Sequence, residues 1–267
     1  MNAPEIQFDP VAARFGSARS QKRLEDDRLL VGKGLYSDDR RFDREAALVL
    51  VRSPHPHARI KSVDLAAVRA APGVLAAWTL AELAADGVKH IPVPPLFKRA
   101  DGAPMSVPPR TPLAGERALY VGHGVVAIVA QTRVQAQDAA ELVEIEYEDL
   151  PCVVDPRAAV QPGAPQLWPG APGNVAGETR YGKAEEADAA FKRAVHVTEI
   201  ELHNQRVIAV AMEPRCSIGV YERGRSTVYT QCQQPTGARD LLAAALGGKP
   251  PEFRIVNGDI GGGFGMK

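Results

Sequence analysis

Residues 125–149 constrain the chain most. The run VVAIVA at 125–130 is unbroken and apolar, the pattern of a strand covered on both faces. Residues 132–143 follow as a helix, with Val134, Ala139, Ala140 and Val143 as its apolar positions. EIEYE, 144–148, then alternates charged with apolar residues, as a strand with one wet face should. Strand, helix and strand in so short a span predict an α/β unit whose helix covers a sheet face.

The flanking sequence extends the pattern. Residues 46–52 (AALVLVR) read as a buried strand. Asp64 stands as the cap of a short helix, LAAVRAA, ended by Pro72 and Gly73. Residues 74–78 predict a strand, and Thr79 caps a second short helix, LAELAAD. Residues 92–112 are so crowded with prolines, which lack amide donors, that they predict an extended loop or lid and no inner strand. Residues 151–177 hold six prolines and four glycines around Trp168, and read as a linker between domains. Beyond it come a helix near 185–194, strands at 195–202, 216–221 and 227–231, a helix at 237–246 and a strand at 253–257. Residues 1–23 lack periodicity, and a poorly ordered leader is expected through position 27.

Charge and cysteine content exclude several classes. Lysine and arginine number 32 against 32 aspartates and glutamates, so neither nucleic acid nor an anionic membrane is an expected partner. Cys152, Cys216 and Cys232 form no metal-ligand spacing and too sparse a set for a disulfide scaffold. The start lacks a signal-peptide core, and no apolar run approaches the ~20 residues of a membrane span. A cytoplasmic location is expected.

The strongest chemical signal is Gly261, Gly262, Gly263, Phe264 and Gly265, directly after the strand at 253–257. Consecutive glycines permit positive φ and remove Cβ atoms, so the backbone can press against a ligand. Successive amides in such a turn make a donor array for phosphate or another anion. A flexible glycine tail would look the same by spacing alone. Neither dinucleotide-fold nor P-loop glycine spacing is matched.

Five segments, in order, carry a resemblance. They are RLEDDRLLVGKG (23–34), VRSPHPHARI (51–60), YVG with DAAELVEIEYEDLP (120–122 and 138–151), MEPR (212–215) and RDLLAAALGGKPPEFRIVNGDIGGGFGMK (239–267). Together they resemble the N-terminal part of the molybdopterin-binding large subunit of the xanthine dehydrogenase, aldehyde oxidase and carbon monoxide dehydrogenase family. The resemblance implies an α+β fold: an α/β hammerhead domain over 28–150, the linker 151–177, and the first part of a mixed α/β molybdopterin-binding domain over 178–267. It implies cofactor contacts at Gln233, Gly262, Gly263, Phe264 and Gly265, with Cys232 where the family has threonine before its glutamine.

The implied activity is molybdenum-dependent hydroxylation of an aldehyde, an N-heterocycle or carbon monoxide. The implied cofactor is molybdopterin with molybdenum, as such or in its cytosine dinucleotide form. The implied partners are the remaining molybdopterin-binding chain, an iron–sulfur subunit with 2Fe–2S clusters and an FAD subunit. The family's catalytic glutamate lies near the large subunit's C-terminus, so no catalytic residue and no protein metal ligand is assigned here. The chain alone is expected to be inactive, and to aggregate or bind no cofactor when purified by itself. The competing class is a non-catalytic interaction module or a truncated relic of such a subunit.

Other readings stand beside these. Gln233, ahead of Pro235, also fits a solvated turn; Phe264 fits a core anchor as well as a substrate wall; Glu213 or Arg215 fits a buried, satisfied ion pair. His55 and His57 have ligand-like spacing, but SPHPH is a proline turn. Cys232 fits a buried inert thiol. His123 and Gly124 depart from the family pattern after YVG, which bears on the shape of that loop.

Overall fold

The computed structural model describes residues 23–267. The expected leader therefore falls almost wholly outside the described residues, and its last two positions already belong to a short helix, α1 (Asp26–Leu30). The first half then runs β1 (Ala47–Arg52), β2 (Ala58–Asp64), α2 (Ala66–Ala70), β3 (Val74–Trp78), α3 (Leu80–Ala85), β4 (Arg117–Ala118), β5 (Gly124–Ala130), α4 (Arg133–Ala140) and β6 (Glu144–Asp149).

These strands form two three-stranded antiparallel sheets, β1-β5-β3 and β4-β2-β6. The apolar run at 125–130 becomes the central strand β5, buried at every position but Val129. In β6, Ile145 and Tyr147 turn inward while the glutamates between them face solvent. The hydrophobic core gathers Val125, Val126 and Ile128 from β5 with Val68 of α2, Leu65 at its start, and Ala139 from α4. Ile60, Val63 and Ile145 of the second sheet pack against it, so one core joins both sheets.

The helix starts follow the side chains that cap them. Asp64 accepts the Ala66 amide at 2.8 Å, and Thr132 Oγ1 accepts the Gln135 amide at 3.2 Å. At α3 the Glu82 carboxylate accepts the Thr79 amide at 2.8 Å and its hydroxyl at 2.9 Å. The proline-rich stretch 92–112 forms no strand, as expected.

The second half runs α5 (Pro156–Ala159), α6 (Ala184–Arg193), β7 (Ser217–Glu222), β8 (Arg225–Thr230), α7 (Pro235–Leu246) and β9 (Phe253–Val256). β7 and β8 form a hairpin, and α7 carries the chain across so that β9 lies parallel to β8. The stretch 151–177 is more than a tether. Asn174 Nδ2 donates to Ala159 O at 2.8 Å and Pro165 O at 3.0 Å, and the Ser106 amide donates to Ala176 O at 2.8 Å. It folds back onto the proline-rich loop.

One expectation is corrected. Residues 195–202 form no strand: no described segment pairs with them, and Val195, Ile200 and Leu202 are exposed. Residues 28–42 also lie against the second half, touching Glu213, Cys216, Tyr229 and Asp259.

Candidate cofactor-binding site

Parallel pairing of β8 with β9 brings the ends of both strands to one edge. There Asn257 Nδ2 donates to Cys232 O at 2.6 Å, and the Cys232 thiol reaches Asn257 Oδ1 at 3.4 Å. This tie sets the turn after β8 beside the glycine loop that follows β9. The Gln233 amide donates to Lys267 O at 3.3 Å, and a Cβ on Gly263 would lie 3.3 Å from the Gln233 side chain. Gln233 and Gly263 are therefore neighbours.

The loop is shaped by backbone only glycine adopts freely. Gly262 has φ 105° and Gly265 φ 75°, and Phe264 between them is also left-handed at 49°. The Met266 amide closes a turn on Gly263 O at 2.8 Å, while Arg215 donates to Met266 O at 2.6 Å. Among the described residues, the amides of Gly262, Gly263, Phe264 and Gly265 donate no hydrogen bond, nor does the Gln233 carboxamide. A run of unpartnered donors seeks water or a ligand acceptor.

Phe264 is 72% exposed, which removes the core-anchor reading within this chain. Gln233 is exposed as well. Cys232 is half-buried and bonded to Asn257, as an inert thiol would be. The histidines lie elsewhere: His55 meets Asp149 at 2.6 Å and packs on Tyr147, and His57 bonds Pro151 O at 2.8 Å. His123, stacked on Tyr120, is buried in the loop where the family pattern is broken, and burial pushes its pKa down.

Sequence reasoning gave Glu213 a buried ion pair but missed what that pair supports. Glu213 Oε2 accepts from Gly261 N at 2.8 Å and Lys267 Nζ at 3.0 Å; Oε1 accepts from Gln231 Nε2 at 2.9 Å and Ser37 N at 3.3 Å. Burial alone would push this carboxyl up, but the donors from Gly261, Lys267, Gln231 and Ser37 outweigh it and hold it below its ordinary value. The Lys267 side chain is 2% exposed, so the pair is desolvated on both sides.

Asp259 is a second anchor. Its carboxylate accepts both arms of the Arg28 guanidinium and the Leu35 amide at 2.7 Å, and the Asp259 amide donates back to Leu35 O at 3.1 Å. The Arg28 pair, then the Leu35 amide, hold the Asp259 pKa down to about 2 from 3.8. A depressed carboxylate contributes stability above its unfolded pKa and loses it as pH falls through the folded value. The difference in thermal midpoint between the native chain and Asp259→Asn should be constant above about pH 5, shrink as pH falls from about 4 through about 2, and be lost below that. A difference that stays undiminished from about pH 5 to about pH 2 would contradict this assignment.

The donor set fits a ligand rich in anionic or carbonyl acceptors. The loop offers bare amides and a carboxamide, and Glu213, the carboxylate that holds the Gly261 amide, is saturated by four donors. Side chains would close the cradle: a Cβ on Gly262 would fall 2.7 Å from the Phe264 ring. Among the described residues, no helix is long and apolar enough to cross a membrane.

Comparison with known proteins bears on these features. Residues 31–151 match the aldehyde oxidase and xanthine dehydrogenase a/b hammerhead domain, and residues 167–267 match the molybdopterin cofactor-binding domain. The chain is 34% identical to the nicotine 6-hydroxylase large subunit of Paenarthrobacter nicotinovorans, over 97% of this chain and 31% of that one. It is 33% identical to the carbon monoxide dehydrogenase large chain of Afipia carboxidovorans, over 94% and 32% respectively. The fold is similar to that of quinoline 2-oxidoreductase from Pseudomonas putida 86, with TM-score 0.81 and 30% identity over 92% of this chain and 30% of that one. The chain thus spans about a third of the length of these two relatives.

Proposed function

Since the chain belongs to the molybdenum hydroxylase family of xanthine dehydrogenase, aldehyde oxidase and carbon monoxide dehydrogenase large subunits, we propose that its glycine loop and Gln233 form part of a molybdopterin cradle. In this reading the domains run 28–150, 151–177 and 178–267, and the rest of the cradle comes from large-subunit sequence outside these residues. The observation that carries it is the run of four amides, Gly262 to Gly265, that donate to no other described residue, beside a Gln233 carboxamide that likewise donates to none of them.

Each residue has a defined task. Backbone amides of Gly262, Gly263, Phe264 and Gly265 donate to acceptor oxygens of the cofactor, each charge-assisted bond contributing about 1.5–3 kcal/mol. Gln233 adds a donor and an acceptor at the same edge. The exposed Phe264 ring supplies an apolar wall for cofactor or substrate. The cofactor, when bound, supplies the redox-active molybdenum centre. The substrate would be an aldehyde, an N-heterocycle or carbon monoxide, and iron–sulfur and flavin groups on partner subunits would take up the electrons.

The test is co-production of this chain with the remaining large-subunit sequence in a cofactor-producing host, followed by metal and pterin analysis. The expected result is an assembly that holds molybdenum and pterin in equal amounts and in which the Gly262 to Gly265 amides gain protection from exchange. Cofactor bound without protection of those amides would overturn the assignment. An assembly that never takes up cofactor would favour a non-catalytic interaction module.

A further inference from the structure

We propose that residues 28–42, which precede the hammerhead sheets in sequence, are a strap that fixes the glycine loop, with Glu213 and Asp259 as positioning residues. The strap is a statement about this chain's own fold; only its consequence, a cradle ordered before ligand arrives, rests on the cofactor reading.

The contacts fall in sequence order along the strap. Arg28 grips the Asp259 carboxylate, and Leu35 exchanges hydrogen bonds with Asp259 in both directions. Ser37 donates its amide to Glu213, whose other oxygen holds Gly261. The Cys216 thiol lies 3.8 Å from Asp38. Arg40 sits 5.0 Å over the Tyr229 ring of β8, and Phe42 packs on the same ring at 5.0 Å. Residues 28–42 therefore line β7, β8 and the turn that leads from β9 into the glycines.

Two glycines show how close the approach is. A Cβ on Gly258 would stand 2.5 Å from Leu35 O, a backbone atom that cannot rotate away. A Cβ on Gly261 would stand 2.5 Å from the Glu213 Cβ. The loop is thus pressed between the strap on one side and the Glu213 turn on the other.

A glycine-rich loop has the most conformational freedom to lose on ordering and no side chains with which to hold itself. Order must come from outside. Asp259 and Glu213 each bind the strap and the loop with the same carboxylate or residue, so the two segments should loosen together. A loop fixed in this way presents its amides already arranged, which reduces the ordering cost of binding.

The experiment is residue-by-residue amide exchange on the cofactor-free full chain, read at Leu35, Ser37, Asp259 and Gly261, with the β5 amides as internal reference. Arg28→Gln should raise exchange at Leu35 and Asp259 together by on the order of tenfold, with β5 unchanged. Arg28→Lys, which keeps one charged donor, should recover part of that protection. Gly258→Ala should loosen all four amides, and Glu213→Gln chiefly Ser37 and Gly261. Strap and loop responding separately would overturn the proposal, and so would an equal rise in β5, since that marks general destabilisation. If the four amides respond as expected but no cofactor protects the Gly262 to Gly265 amides in the assembled protein, the cofactor reading fails and the strap stands.

Discussion

Gly262→Val should lower the molybdenum and pterin content of the assembled protein while leaving the hammerhead core folded. At φ 105° a β-branched residue has no comfortable conformation, and such strain costs about 1–3 kcal/mol. The new Cβ would also stand 2.7 Å from the Phe264 ring and 3.2 Å from the Ala211 Cβ. The chain can relieve both only by moving the loop, which scatters the amides that would meet the cofactor. Since each 1.4 kcal/mol is a factor of ten, affinity should fall by roughly one to two powers of ten. Met266→Ala is the matched control. Met266 enters the site through its amide and carbonyl, which the substitution keeps. Metal and pterin content per chain reads the result, and full occupancy in Gly262→Val would remove the loop from the binding site.

Ile128→Ala should be the most destabilising single truncation in the first half. Ile128 is 0% exposed, lies in the middle strand of β1-β5-β3, and faces Val49 and Ala77 across its two pairings. Its neighbours in the core come from both sheets and α4, so little can collapse into the space left behind. Buried isoleucine-to-alanine changes cost about 2–5 kcal/mol, against about 0.5 kcal/mol or less for a surface change. Leu48→Ala supplies that comparison, being 59% exposed on the same sheet. Urea unfolding of the two variants should separate them clearly; equal midpoints would mean that β5 does not organise the core.

Much of the first half was legible because its signals are local. An unbroken apolar run at 125–130 gave the central strand, alternation at 144–148 gave a half-wet one, and Asp64 and Thr79 marked helix starts to within a residue, though the N-cap of α2 is Leu65 and the Thr79 hydroxyl donates to Glu82. The family was legible in five short segments, and the juxtaposition of Gln233 with Gly263 follows the resemblance. What periodicity reveals is which face of an element is apolar, never which distant segment will meet it. Residues 195–202 carry a strand's composition, yet no described strand pairs with them. Arg28 and Asp259 are each unremarkable in their own neighbourhoods, and only folding brings them together. Glu213 was recognised as a buried ion, but its four donors come from Ser37, Gln231, Gly261 and Lys267, a set no local window contains.

The distance along the chain between Arg28 and Asp259, 231 positions, has a consequence for biosynthesis. At about 5–20 residues per second a ribosome needs on the order of ten to fifty seconds to deliver the second after the first. During that interval the hammerhead core has all its strands and can close, whereas the strap has nothing to lie on. Leu35 and Phe42 must then wait unsheltered until β7, β8 and the glycine turn emerge. Nascent chains arrested before position 259 should therefore be cut by protease within residues 28–42, and released full-length chains should resist.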